Sequence, residues 1–394
     1  MRGLVWLLLP AAALAADSRE FEVSLRTEQQ ARFFASQFGG SPDVPFFLLP
    51  TATFRRHFPA TTFALTYNPQ LLLGAGRSAR PVFSHQGRVG LTHRAGQNQY
   101  SLQEGLSYGT IDFFLLSALA GPNADGTPPL LQPLPALTPL AFINSATDGS
   151  ANWVFDRRNR GGLRGSYLYS GGLDDEARTQ LPLQRRGTVA AYFEHDASRT
   201  HTVWTQASAS RAIFSNGPSA VLGVLLQGWR GRLSPVTDLS LAIGPSAISS
   251  TPSRGAPYTW LILPAVSATW RHSTNFRHHR LALDAQAQLA PFLDWITGIA
   301  SQRLDLTAGL TWAGTQQWSG KARARGALNV ATSQPIAPQS LASLELSATY
   351  APRPTFQVEI GSRLLWQQTP FFGATPFWQV LTYVALTVSE RGIL

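Results

Sequence analysis

Basic side chains recur at every second position in one segment of this sequence. Lys321, Arg323 and Arg325 alternate with the small residues Ala322 and Ala324. Successive side chains of a β-strand point to opposite faces, so the three charges would share one face of a strand. Guanidinium forks bind carboxylate, sulfate and phosphate groups through paired hydrogen bonds. The spacing therefore predicts a surface that binds or guides anions.

Charged residues follow the same alternation in other segments. Each lies next to apolar residues that would take the opposite face of its strand, and a charge on the lipid face at mid-bilayer costs ~2–4 kcal/mol. We therefore predict that these side chains line the lumen of a barrel. The predicted lumen-lining residues are Arg88, Arg94, Arg164, Lys321, Arg323, Arg325, Arg363, Glu359 and Asp284. Two interpretations stay open, namely ion pairs that hold the wall together and a net positive lumen that favours anionic solutes.

The residue types used in catalysis and metal binding form no recognisable site. The chain has no cysteine, which excludes thiolate chemistry and disulfides. None of the eight histidines has the spacing of a zinc site, and we find no nucleophile elbow. A His-Asp-Ala-Ser run at residues 195–198 falls between two candidate strands and is interpreted as a turn. We predict no enzymatic activity, no metal site and no cofactor.

The elements that would position the charges are amphipathic strands. Segments of ~10 residues are apolar at every second position and are separated by turn residues, a pattern typical of transmembrane β-barrels. We expect strands at roughly 46–57, 62–73, 82–95, 98–113, 151–158, 162–170, 183–194, 200–213, 219–232, 236–246, 256–271, 277–290, 302–313, 318–331, 341–351, 355–368 and 377–388. These segments are odd in number, whereas single-chain bacterial barrels have even strand numbers. The sequence therefore predicts an all-β fold, a transmembrane antiparallel β-barrel of about 16–18 strands, with 18 favoured.

The start of the chain has the pattern of a secretory signal peptide. Arg2 precedes an apolar stretch, and Ala13, Leu14 and Ala15 form a small-residue cleavage site. We predict a signal peptide at residues 1–15, a periplasmic lead-in or first strand at 16–45, and the barrel at 46–394. No later stretch approaches the ~18 apolar residues of a spanning helix. The predicted location is the outer membrane of a Gram-negative bacterium, reached through a cleaved signal peptide.

Composition favours a membrane barrel over a soluble domain. Charged residues make up 14% of the chain, whereas ~25% is usual in soluble domains. The net charge is +10, and Lys321 is the single lysine. We attribute the preference for arginine mainly to a GC-rich genome. The predicted partners are outer-membrane lipid and a polysaccharide or other polar solute, and no nucleic acid is expected at this location.

Aromatic residues gather near the ends of the candidate strands. Rings with a polar tip favour the membrane–water boundary, where they form girdles around a barrel. The predicted girdle residues include Trp260, Trp270, Trp312, Trp318 and Trp366. The pattern as a whole, rather than any one tryptophan, indicates the girdle.

A long proline-rich insertion interrupts the strands at residues 117–150. Proline cannot donate to a sheet ladder, so the insertion is predicted to be a loop. It could fold into the lumen, or lie outside as a loop or a partner-contact surface. Its side of the membrane depends on whether Phe21, Val23 and Leu25 belong to a strand, because one extra strand inverts every later connection.

Several segments of the chain, taken together, are familiar from one family. They are SYGTIDF at residues 107–113, LPLQRRG at 181–187, FLDWITG at 292–298, which is interpreted as a periplasmic-type turn, and the closing strand at 377–388. They resemble a family of Gram-negative outer-membrane β-barrels associated with exopolysaccharide export. The resemblance implies a porin-like barrel that works with a polysaccharide export system, and it makes a periplasmic polysaccharide-export protein a candidate partner. The motifs are structural and carry no catalytic group.

Three functions remain open at this point. The first is a conduit that translocates a polar or anionic polymer, an exopolysaccharide, across the outer membrane. The second is a general diffusion porin for small solutes. The third is a structural or adhesive barrel whose lumen is plugged. The Arg-biased inward row and the resemblance favour the conduit.

Overall fold

The computed structural model describes ten stretches of the chain. They are residues 18–34, 44–74, 81–111, 140–251, 260–276, 279–294, 297–314, 317–332, 339–368 and 376–393. The predicted signal peptide at 1–15 and residues 117–139 of the predicted insertion lie outside the described residues.

Eighteen strands form one sheet. Their outward rows are apolar, as on β8, where Val189 and Phe193 are 64% and 46% exposed, and their inward rows are mostly polar. The strands are β1 (Ser18–Phe34), β2 (Phe46–His57), β3 (Thr61–Leu73), β4 (Val82–Ala95), β5 (Asn98–Ile111), β6 (Leu140–Val154), β7 (Asn159–Gly172), β8 (Gln184–Asp196), β9 (His201–Phe214), β10 (Ser219–Ser234), β11 (Thr237–Thr251), β12 (Leu261–Phe276), β13 (His279–Leu293), β14 (Ala300–Ala313), β15 (Trp318–Thr332), β16 (Ser340–Arg353), β17 (Phe356–Gln368) and β18 (Phe377–Ile393).

The sheet closes on itself. Every strand pairs antiparallel with its neighbours in the chain, and β1 pairs with β18 from Glu20 opposite Ile393 to Phe34 opposite Gln379. Closure leaves no unpaired sheet edge, which is what allows strands to cross a bilayer. The predicted transmembrane barrel is confirmed, with the favoured number of strands. Most of the segment that the sequence left open, residues 16–45, forms β1.

Two strand starts differ most from the sequence-based expectation. Strand β6 begins at Leu140, so residues 140–150 of the predicted insertion belong to the barrel wall. The last proline of the insertion is Pro139, and after it Leu140 and Phe142 form a buried inward row. Strand β12 begins at Leu261, five residues later than expected at 256. In both cases proline or glycine near the strand start obscured the alternation.

The two ends of the barrel have different connections. We call one the turn end, where short connections join the strands and where β1 begins and β18 ends. The connections there are 58–60, 96–97, 155–158, 197–200, 235–236, 277–278, 314–317 and 354–355. The opposite, loop end carries mostly longer connections at 35–45, 74–81, 112–139, 173–183, 215–218, 252–260, 294–299, 333–339 and 369–376. The segment at 292–298 and the remainder of the proline-rich insertion therefore share the loop end.

A short helix lies in one of these loop-end connections. Helix α1 (Asp175–Gln180) begins after Asp174, whose side chain accepts a hydrogen bond from the Ala177 backbone N–H at 2.7 Å. This is the usual way to satisfy an otherwise unpaired N–H in a first helical turn. Within the described stretches, no helix has the length and apolar character needed to cross a membrane.

The predicted girdle tryptophans lie at both rims of the barrel. Trp270, Trp312 and Trp318 are on outward rows near the turn end, as their strand positions and ladder partners show. Trp366 is on the outward row of β17 near the loop end, where its ring lies 6.1 Å from that of Trp378. Trp260 directly precedes β12 at the loop end and is 55% exposed.

Gly109 on β5 allows two strands to approach closely. Its φ is +123°, and a Cβ there would lie 2.5 Å from the carbonyl oxygen of Phe83. We expect Gly109→Ala to destabilise the barrel by about 1–3 kcal/mol, measured as the urea midpoint of the folded band in gels run without heating. The control is Gly105→Ala on the same inward row, where the nearest heavy atom lies 3.9 Å away. Equal midpoints for the two variants would contradict the expectation.

Candidate functional site

The inward row of each strand can be followed through the ladder, because residues directly opposite each other share a face. Arg323 on β15 is opposite Glu345 on β16, which is opposite Arg363 on β17. The structure places every predicted lumen-lining residue on an inward row. These are Arg88 and Arg94 on β4, Arg164 on β7, Asp284 on β13, Lys321, Arg323 and Arg325 on β15, and Glu359 and Arg363 on β17.

Four of these residues form what we call the basic patch, namely Lys321, Arg323, Arg325 and Arg363. Arg363 Nη2 lies 3.3 Å from the Glu345 carboxylate, and Arg325 interacts electrostatically with both Arg323 and Arg363. Glu345 thus faces several positively charged side chains. The patch keeps a net positive charge toward the lumen, although part of it is paired.

A second network crosses the seam where β1 meets β18. Arg26 on β1 binds Glu359 on β17 and Glu28 on its own strand, each at 2.8 Å. The Tyr383 hydroxyl on β18 donates to Glu359 at 2.8 Å. The network connects β1, β17 and β18. Glu359 therefore stabilises the barrel wall as well as facing the lumen. The sequence left the contribution of β1 open, although the alternation of Phe21, Val23 and Leu25 indicated a strand.

Ion pairs also ring the turn end of the lumen. Arg160 binds Glu194 and Asp196 at 2.5 and 3.2 Å, and Arg232 lies 3.6 Å from Asp238. These groups are partly exposed, so each pair contributes only about 0–1 kcal/mol to stability. Their larger effect is on the electrostatic potential at the mouth of the barrel.

The loop-end half of the lumen is lined by buried side chains. Arg32 and Arg303 point inward and are only 2% and 1% exposed. The guanidinium of Arg303 lies 3.5 Å from the centre of the Phe292 ring and 2.8 Å from the Asp305 carboxylate. In contrast, Arg164 and Arg323, nearer the turn end, are exposed. The described part of the lumen is therefore open toward the turn end and covered toward the loop end.

An apolar cluster contributes to this cover. The cluster joins residues of strands from β9 to β14. This is unusual, because the inward rows of these strands would stay apart in an evenly round barrel. We call it the apolar cap. Its members are Ala212, Phe214, Ala220, Leu222, Ile248, Leu293 and Ala300.

Gly298, in the connection between β13 and β14, packs against the cap. A Cβ on Gly298, whose φ is +72°, would lie 2.9 Å from both the Phe214 ring and Pro218 of the β9–β10 turn. On its other side, Asp294 accepts a hydrogen bond from the Gln339 amide at 2.5 Å. Gly298 and Asp294 thus contact two distant parts of the rim. Sequence reasoning interpreted the connection as a simple turn, because contacts between distant strands leave no local pattern.

The chemistry that the described lumen side chains support is the binding of anions. Guanidinium groups dominate the exposed inward positions, and they bind anions without reacting with them. In the described stretches, no group of three or more His, Cys, Asp or Glu residues is arranged to hold a metal ion.

A closed antiparallel barrel with an apolar outer wall, aromatic rims and a charged lumen defines the class of porin-like outer-membrane proteins. Within that class, the family model for the EpsX exopolysaccharide export family matches residues 11–394. The chain belongs to this family, which confirms the family resemblance seen in the sequence. Its location is the outer membrane of Gram-negative bacteria.

One solved structure shows the same fold at low sequence identity, and two others are reported with it as similar. A BenF-like porin from Pseudomonas fluorescens Pf-5 is 10% identical with a TM-score of 0.50, over 94% of this chain and 99% of that chain. OccAB3 of Acinetobacter baumannii is 10% identical with a TM-score of 0.48, over 95% and 99%. OpdQ of Pseudomonas aeruginosa is 12% identical with a TM-score of 0.46, over 95% and 99%. No curated protein sequence matches.

Proposed function

We propose that the barrel is a conduit through which a polar or anionic exopolysaccharide crosses the outer membrane. The observation that carries the proposal is the basic patch on the inward wall of a barrel that belongs to an export family. Fixed positive charges in a water-filled lumen lower the barrier to anionic solutes. Barrels of about 16–18 strands are wide enough to hold an aqueous channel. No bond is made or broken.

The orientation follows from the lengths of the connections. In outer-membrane barrels the short turns face the periplasm and the longer loops face outward. The turn end then receives the polymer from the periplasm, where a polysaccharide-export protein is the proposed partner. The loop end, with the remainder of the proline-rich insertion and residues 292–298, lies at the cell surface. The interpretation of 292–298 as a periplasmic-type turn would not hold under this proposed orientation.

Passage of a polymer requires the loop end to open. The exposed arginines near the turn end face an open vestibule, whereas the apolar cap and Gly298 cover part of the wall beyond it. The cap would then act as a gate that stays closed in the absence of polymer. Such a gate would keep small solutes out of an otherwise wide pore.

A deletion strain tests the proposal. We expect loss of polymer from the cell surface while its synthesis continues, because the product cannot cross the outer membrane. Extraction of surface and intracellular polysaccharide, followed by sugar analysis, measures both pools. Complementation with the intact gene is the control. Normal surface polymer in the deletion strain would refute the conduit.

A general diffusion porin is the second candidate function. The observation in its favour is the fold shared with a solved BenF-like porin. A porin would let unrelated small sugars and amino acids enter proteoliposomes at rates that fall with solute size. The conduit with a closed gate predicts slow entry for all of them, so a liposome-swelling assay separates the two functions.

A further inference from the structure

Two aromatic rings on the inward rows remain uncovered. Tyr192 on β8 and Trp204 on β9 are half-buried, and both lie close to the connection at residues 197–200 of the turn end. The other inward aromatic side chains that the structure describes are buried. They are Phe47, Phe142, Phe214, Phe292, Phe377 and Tyr383.

Each of the two rings packs closely beside a glycine of the adjacent strand. Tyr192 is opposite Gly162 in the ladder, and a Cβ on that glycine would lie 2.6 Å from the tyrosine ring. Trp204 is opposite Gly228, where a Cβ would overlap the indole ring. The indole ring of Trp204 rests on the neighbouring backbone at Gly228, so its other side is turned to the lumen.

Exposed guanidinium groups surround these rings. Glu194, two residues from Tyr192, lies 2.5 Å from Arg160 and 3.6 Å from Arg230, and the two arginine side chains remain 44% and 52% exposed. The guanidinium carbon of Arg164 lies 5.8 Å from the centre of the Tyr192 ring. The charge beside the rings is therefore positive on balance.

We propose that Tyr192 and Trp204 form an aromatic platform that binds sugar rings, while Arg164 and Arg230 hold the carboxylate of an acidic sugar. The face of an aromatic ring is electron-rich and accepts the apolar C–H face of a sugar. Guanidinium groups supply the matching charge-assisted hydrogen bonds. The inference rests on the proposed function, and it places the first polymer contact at the turn end.

Calorimetric titration of the purified full-length barrel in detergent tests the platform. Tetragalacturonate is the acidic probe and maltotetraose the neutral one. We expect tetragalacturonate to bind more tightly, and Trp204→Ala and Tyr192→Ala each to weaken its binding about five- to tenfold. Trp204→Phe and Tyr192→Phe retain a ring and are expected to retain most of the affinity.

Two further variants separate ring position from folding. Gly228→Ala keeps every functional group but displaces the indole ring, so it is expected to weaken binding as Trp204→Ala does. Trp229→Ala removes the outward-facing neighbour of Gly228 on β10 and is expected to leave binding unchanged. Absence of binding by the parent protein, or equal affinities for Trp204→Ala and Trp229→Ala, would overturn the platform. Normal surface polymer in cells carrying both ring-to-alanine changes would also refute it, whereas the proposed function fails only if the deletion strain exports normally.

Discussion

The barrel carrying both Gly298→Val and Asp294→Ala is expected to conduct ions far better than the parent. Valine at residue 298 would meet Phe214 and Pro218 and would have to adopt a positive φ, and the second change removes the hydrogen bond from Gln339. Together these losses amount to about 2–4 kcal/mol, which shifts the ratio of closed to open cap by a factor of roughly 30 to 1000. Single-channel recording in planar bilayers measures the change.

A matched variant controls for backbone strain alone. Gly74 also lies at the loop end and has a φ of +73°, but the nearest heavy atom to its Cβ position is 3.8 Å away. Gly74→Val is therefore expected to leave the conductance at the parent level. If the parent already conducts freely, or if the two valine variants behave alike, the cap is not the barrier. A double variant that folds but remains silent would instead support a plugged, structural barrel.

Charge reversal in the basic patch is expected to invert ion selectivity. Arg323→Glu with Arg325→Glu replaces two inward positive charges by negative ones beside Glu345. Charges on the lumen wall lie close to the permeating ions, and at low ionic strength little salt screens them. The sign of the electrostatic potential in the lumen should therefore change. We expect the reversal potential in a salt gradient to move from the anion-selective to the cation-selective side. The measurement is made in the barrel that also carries Gly298→Val and Asp294→Ala, because that variant is expected to conduct.

The control for charge reversal changes the same number of charges away from the lumen. Arg157 and Arg158 lie in the exposed turn at the turn end, and Arg157→Glu with Arg158→Glu should shift the reversal potential only slightly. Similar shifts in both double variants would mean that net charge, rather than the patch, sets selectivity. Export of the polymer in cells should fall with the patch variant and persist with the control.

The alternation of residues was enough to predict the barrel and the direction of its charges. It left β1 undecided, because the outward positions Thr27, Gln29 and Ala31 near the loop end are not strongly apolar. The pattern fades there although the backbone continues to pair with β18. Side-chain periodicity reports the contrast between lipid and lumen, and where that contrast is weak it cannot reveal a strand.

The cap and the aromatic platform differ in how far the sequence could have indicated them. Trp204 lies in a polar row with Thr202, Gln206 and Ser208, opposite to Val203, so its inward position was readable. The glycine beneath it was not, since Gly228 is on another strand and its pairing depends on register. The contact between Gly298 and Phe214 spans several strands and follows from the bending of the wall, which no local pattern encodes.

The uninterrupted pairing of β1 with β18 has a topological consequence. A continuously paired wall gives a long chain molecule no sideways way in or out, so under the proposed function a strand of polymer would enter by its free end and pass through along its whole length. A branch point or a folded stretch wider than the lumen would halt the strand midway, with no lateral release into the bilayer. The machinery that feeds such a passage has to present a terminus, and the length of the product sets how long each barrel stays occupied.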